Sequence, residues 1–169
     1  MIIERISSKN FSMKSLDDYL AVQEAKKVYK YMDDKFVTVN TEFTIEWDSK
    51  IKQRIADKLL DPNYISFGAF DEGRLRGFVV IENRLRNERC VMTEINVDSR
   101  FRRSGIGSAL FNIAKTKAKV MGANQLYVSA SPVVTTVDFF RSMECEPTTE
   151  IINSIAMEES SNIQMTCYL

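Results

Sequence analysis

Six residues within a run of eight have the chemistry to hold a polyanion: Arg100, Arg102, Arg103, Ser104, Gly105 and Gly107. They stand between a segment of two-residue alternation, Cys90 to Val97, and one of helical spacing, Ser108 to Met121. In the first, Val91, Thr93, Ile95 and Val97 alternate with Met92, Glu94 and Asn96, the pattern of a strand. In the second, Ala109, Leu110, Ile113, Ala114, Lys117, Val120 and Met121 recur every third or fourth position, and Gly122 ends the run. A basic, glycine-containing turn therefore feeds a helix start, where free amides and the helix dipole favour an anion. Gly105 and Gly107 lack a Cβ, which lets a phosphate approach the backbone.

Charge is segregated along the chain. No Asp or Glu occurs from Ser99 to Val137, whereas Arg100, Arg102, Arg103, Lys115, Lys117 and Lys119 all fall there. The other 17 of the 23 basic residues share the rest of the chain with all 23 acidic ones, so zero net charge is a sum of unlike halves. A local positive field suits a polyanionic ligand; a solvated helix beside a glycine turn has the same composition, so the motif must decide. A P-loop needs Lys after its second glycine, and none follows here. The dinucleotide fingerprint needs a glycine where Leu110 stands and an acid further on, in a region that has none. Histidine is absent, which removes Ser–His and Cys–His catalysis and most zinc chemistry. A general base must then be a carboxylate, Tyr, Lys, Cys or water.

The elements that would position this turn can be taken in chain order. Ile2 to Ile6 reads as a first strand. Ser15 reads as the N-cap of a helix reaching about Tyr31, with Asp17 and Asp18 in its first turn and Leu16, Leu20, Ala21, Ala25, Val28 and Met32 as an apolar stripe. Phe36 to Trp47 alternates and is rich in β-formers, as a strand or an extended loop would be. Asp48 caps a helix over Ser49 to Leu60, stopped by Asp61-Pro62-Asn63. Tyr64 to Phe70, a turn at 71–73, and Leu75 to Ile81 form a hairpin, and 83–89 is a polar connection. Gln125 to Ser129 is a strand, Pro132 lies near the start of a short helix ending about Met143, and 149–157 and 163–169 form a last pair of strands.

The string INVDSRFRRSGIGSALFNIA, with Arg102-x-x-Gly105-x-Gly107 between strand and helix, resembles the acetyl-CoA motif of the GNAT N-acetyltransferase superfamily. The resemblance implies an α/β domain over 1–169, a central mixed twisted sheet of about six to seven strands flanked by about four helices. It implies acetyl-CoA as cosubstrate, with no metal. Its diphosphate would lie on the amides of Arg102, Arg103, Ser104, Gly105, Ile106, Gly107 and Ser108, under cover of Arg102 and Arg103. Pantetheine would pair with Ile95, Asn96 and Val97, in a slot opened where the strand at 127–131 splays away. Glu94 is the candidate general base, and an amide near Val97 would face the oxyanion. The family's second segment, Asn-x-x-Ala-x-x-Phe-Tyr, falls on Val133, Thr136, Phe139 and Phe140, so its Asn and its Tyr are both missing. Val133 and Phe140 are then expected only to line the coenzyme, with Tyr127 or Tyr168 as substitutes for the phenol. A thiol of pKa about 8.5 leaves tolerably without an acid, so the loss costs little.

Two functions follow: transfer of acetyl to a primary amine of a small molecule or peptide, or an acyl-CoA-binding module or sensor without turnover. Nucleic acid is not expected as a partner, because net charge is zero and the arginines cluster at one turn. No apolar run approaches a membrane span. Cys90, Cys145 and Cys167 are odd in number and scattered, which fits reduced thiols in a cytoplasm. An apolar strand at 163–169, if at a sheet edge, invites pairing with a second copy. Asp17, Asp18, Glu24, Asp33, Asp34, Glu42, Glu46 and Asp48 would either draw in a cationic amine or simply face solvent.

Overall fold

A computed structural model describes residues 1–169. Seven strands form one mixed sheet in the order β1-β4-β5-β6-β7-β9-β8, and two more form a separate hairpin, β2-β3. In the main sheet β1 is Ile2–Arg5, β4 Tyr64–Asp71, β5 Arg74–Arg86, β6 Arg89–Val97, β7 Gln125–Ala130, β8 Glu146–Pro147 and β9 Ile163–Tyr168. The hairpin is Val22–Met32 (β2) with Lys35–Glu46 (β3), and the helices are Ser49–Leu60 (α1), Ile106–Val120 (α2), Val134–Ser142 (α3) and Asn153–Ala156 (α4). No helix is long and apolar enough to cross a membrane.

The sheet carries a core on each face. On one, Leu110, Phe111, Ala114 and Ala118 of α2 are fully buried with Val137 and Phe140 of α3, against Val79, Ile81, Cys90, Met92, Leu126 and Val128. Burying each large side chain of this stripe contributes roughly 1.5–3 kcal/mol. Gly77 makes the seating of α2 possible, since a Cβ there would meet Ile106 and Leu110 at 3.0 Å. On the other face, Ile55, Ala56 and Leu59 of α1 pack with Leu16, Tyr19, Phe78 and Val80. Asp48 caps α1 as its sequence suggests, its carboxylate accepting the Ile51 amide at 2.9 Å.

Four expectations need correction. The helix expected from Ser15 to Tyr31 is instead a short 3-10 turn, Met13–Leu16, followed by β2. Helical spacing of its apolar residues was outweighed by two tertiary facts. Asp33 and Asp34 take positive φ of 52° and 59° and reverse the chain, and β3 supplies ten cross-strand pairs, from Val22/Glu46 to Met32/Lys35. Residues 83–89 are mostly strand, because β5 continues to Arg86 and turns at Asn87 and Glu88. Residues 149–157 are not a strand but a loop containing α4, with β8 reduced to two residues. Side chains, not a ladder, take up that loop's polar groups: Ile152 N–H donates to the Tyr127 hydroxyl, Arg89 donates to the Glu150 carbonyl and Arg86 to Ser154 Oγ. The strand at 163–168 is not the terminal strand of the sheet but lies between β7 and β8, with β8 pairing at Met165 and Thr166.

Candidate active site

The turn between β6 and α2 is built on Asp98, whose side chain is fully buried. Its carboxylate accepts the Arg100 amide at 3.0 Å, Arg100 Nε at 3.0 Å and Nη2 at 2.7 Å, and the Leu20 amide at 3.4 Å. Arg76, also buried, places Nη1 3.7 Å from Asp98 and 3.6 Å from Asp18, while its guanidinium covers the Phe101 ring at 4.4 Å. Burial raises the Asp98 pKa, but the Arg100 and Leu20 hydrogen bonds outweigh it and hold the carboxyl below its ordinary value.

After this anchor the backbone turns its amides outward. Arg103 and Gly105 have φ of 62° and 86°, and Ser104 Oγ donates back to the Phe101 carbonyl. The first amide of α2 with a backbone acceptor is that of Ala109, bonded to Gly105 at 3.0 Å; none from Arg102 to Ser108 donates within the chain. Seven consecutive free amides at a helix start, with Arg103 exposed beside them, fit a diphosphate. At Gly107 space is tight: a Cβ would lie 3.3 Å from Phe139 Cε2.

The slot expected beside this turn is present. β6 and β7 run parallel only as far as Met92/Val128, whereas β5 follows β6 to Val97 and β7 follows β9 to Ala130. The Asp98 amide donates to the Arg76 carbonyl at 2.9 Å, so Gly77/Val97 is a non-hydrogen-bonded pair of the antiparallel ladder. By its alternation, the polar backbone groups of Ile95 and Val97 point away from β5, into the gap. An amide chain such as pantetheine could satisfy them as an added strand. Arg102 sits at the end of this gap: its Nε donates to the Val97 carbonyl at 3.3 Å and its Nη1 to that of Val22 at 2.8 Å.

Glu94 and Asn96 lie on the opposite face of β6 from Ile95 and Val97, opposite Val80 and Phe78. Glu94 Oε1 is 3.1 Å from Lys58 Nζ and 3.7 Å from Arg54 Nη1. Asn96 Oδ1 accepts the Tyr19 hydroxyl at 2.9 Å. The two sides of the gap are thus unlike: free amides at the α2 side, titratable groups at the α1 side. Phe140 is buried against Phe111 and Phe139, and Val133 is buried at an isolated bridge to Val28. Neither tyrosine replaces the missing phenol. The Tyr127 hydroxyl donates to Gln164 Oε1 at 2.6 Å, and Tyr168 pairs with Gln125 at the far end of β7.

Tyr19, Lys58, Asp98 and the hairpin were not singled out from sequence. Only Asp98 had a local signal, an Asp at a strand end before a turn. The hairpin closes the far end of the slot: Val22 bonds Ser99 Oγ at 2.9 Å past the end of β6, and the Tyr29 amide bonds the Pro132 carbonyl at 2.7 Å past the end of β7.

No curated protein matches the sequence. Among solved structures the chain is similar to nourseothricin acetyltransferase, at 19% identity and a TM-score of 0.72 over 99% of this chain and 97% of that one. It is similar to a putative streptothricin acetyltransferase from Bacillus anthracis str. Ames in complex with acetyl coenzyme A, at 15% identity and a TM-score of 0.71 over 99% and 98%. An aminoglycoside 6'-N-acetyltransferase complexed with coenzyme A aligns at 13% identity and a TM-score of 0.58, over 72% of this chain and 81% of its own. These likenesses establish the fold. The profile of the Acetyltransferase (GNAT) family matches residues 27–143, so this chain belongs to the GNAT acetyltransferases.

Proposed function

We propose that the protein transfers an acetyl group from acetyl-CoA to a primary amine by direct attack. The free amides from Arg102 to Ser108, beside a gap where the Ile95 backbone and the Val97 amide meet no neighbouring strand, carry this reading. Acetyl-CoA supplies the acyl group. The 102–108 amides and Arg103 bind its diphosphate, and the Ile95 and Val97 backbone orients its pantetheine. The Val97 amide faces the oxyanion. Glu94 takes the amine proton, directly or through water. Streptothricin and aminoglycoside acetyltransferases among the structural neighbours make amine transfer the first class to test.

The test is calorimetric binding of CoA together with release of free thiol from acetyl-CoA over an amine panel. Coenzyme binding with thiol release supports the proposal; absence of coenzyme binding overturns it. A second reading, an acyl-CoA sensor, is favoured by one observation: neither Tyr127 nor Tyr168 replaces the family's phenol, since Phe140 is in the core, the Tyr127 hydroxyl is engaged by Gln164 and Tyr168 lies at the far end of β7. Coenzyme binding that raises Tm with no thiol release from any amine supports the sensor.

A further inference from the structure

On the amine side of the gap, the groups within reach of Glu94 are donors. Lys58 Nζ and Arg54 Nη1 both approach the same Glu94 oxygen, at 3.1 Å and 3.7 Å. Arg54 remains well exposed and Lys58 partly so, so both can reach a second anion. Two residues along the strand, and on the same face, Asn96 has its oxygen occupied by Tyr19. The Tyr19 ring cannot turn away: it is buried, with its centroid 6.0 Å from that of Trp47 and 5.9 Å from that of Phe78. Burial and the nearby Asp98 raise the Tyr19 pKa well above its ordinary value, so its oxygen keeps the proton it donates. The Asn96 carboxamide is thereby fixed with its NH2 group unpartnered. Two cations thus approach one carboxylate, and an unpartnered amide donor stands two residues along the same face.

A polycationic acceptor needs further acids, and four in this part of the fold are already engaged. Asp48 caps α1, Asp18 faces Arg74 and Arg76, Asp98 holds Arg100 and Glu82 pairs with Arg84 and Arg86. Glu24 and Glu46 are exposed on the hairpin face opposite Tyr29 and Phe36, as the strand pairing requires.

We infer that the acceptor is an amine bearing a carboxylate a few bonds away, as in an amino acid, with Glu94 facing the amine while Lys58, Arg54 and the Asn96 amide face the carboxylate. The inference rests on the acetyltransfer reading and narrows its acceptor. Strand geometry fits: residues two apart on one face of β6 are about 7 Å apart, the span of an amine and a carboxylate with their hydrogen-bonding partners. Tyr19 acts as a positioning residue, through Asn96.

The test compares matched amines in the thiol-release assay: amino acids, their primary amides and their decarboxylated amines. The amino acid is expected to exceed its decarboxylated partner by about tenfold or more in kcat/KM, the worth of a hydrogen bond to a charged group. Lys58→Met should shrink that ratio severalfold. Tyr19→Phe, which keeps the packing, should raise KM for the amino acid and leave coenzyme affinity unchanged, whereas a merely structural role would lower Tm and affinity together. Coenzyme affinity measured on the same samples separates the two failures. No coenzyme binding sinks the acetyltransfer reading. Bound coenzyme with equal or faster turnover of the decarboxylated amine sinks this inference alone. Should no amine turn over, the decisive measurement is binding of the amino acid to the CoA complex, and its absence also overturns the inference.

Discussion

The guanidinium of Arg102 joins the carbonyl oxygens of Val97 and Val22, at 3.3 Å and 2.8 Å. It therefore fastens the hairpin to the end of β6. The residue expected as cationic cover thus also has a geometric part, because a planar fork can donate in two directions at once.

Arg102→Lys should therefore behave more like Arg102→Ala than like the parent. A lysine keeps the charge but lacks the fork. We expect each variant to weaken CoA binding by about tenfold, the worth of one or two hydrogen bonds. Calorimetry decides: full affinity in Arg102→Lys would restore simple charge attraction as the explanation.

Gly105 and Gly107 should fail for different reasons. Nothing lies within 4 Å of a Cβ at Gly105, but its φ is +86°, so Gly105→Ala should cost roughly 1–2 kcal/mol of conformational strain and Gly105→Asn less. At Gly107 the added methyl meets the Phe139 ring, and Phe139→Leu should relieve Gly107→Ala. Chemical denaturation of the single and paired variants measures both effects.

Glu94→Gln should leave CoA affinity intact and lower kcat by about 10² or more, the usual loss of a general base. An unchanged kcat would move the base elsewhere.

Acid should act through Asp98. Its folded pKa is depressed, so its contribution is complete above the unfolded value of about 3.9 and is lost as pH falls through the lower folded value. The stability difference between the parent and Asp98→Asn should be flat from neutral pH down to about 5 and shrink below about 4. A difference that instead grew on acidification would contradict the hydrogen-bonded arrangement around the carboxylate.

The three cysteines should stay silent toward a thiol reagent until the chain unfolds. Burial, with Glu82 nearby, pushes the Cys90 thiol up to about 12. Cys145 is raised by its hydrogen bond to Cys167 and then by burial. All three are buried, and inaccessible thiols of this kind are unreactive. Titration with a chromogenic disulfide, native against denatured, checks this.

What could be read from the sequence was what local pattern encodes. The alternation of 90–97, the stripe of 109–121 and the glycines at 105 and 107 each specify their conformation within a few residues, and the strand, turn and helix appear there. The hairpin was not legible, because Leu16, Ala21, Ala25 and Val28 do fit a helical period; only the pairing of β2 with β3 selects the strand. Residues 149–157 have β-forming residues but no neighbour to pair with, and Tyr127 and Arg89 capture their backbone instead. The amine side of the gap was least visible. Tyr19 and Asn96 are 77 positions apart, as remote in sequence as Lys58 and Glu94 are specific in space.

The ribbon formed by β2 and β3 lies outside the main sheet, and β2 arches from the end of one splayed strand to the end of the other. An incoming molecule must thread beneath this arch or beside it. Exchanging the outer part of the ribbon would then alter which acceptors are admitted, provided that Val22 keeps its bonds to Arg102 and Ser99 beside the donor's cradle, and descendants of such a chain could acquire new partners by remodelling that segment.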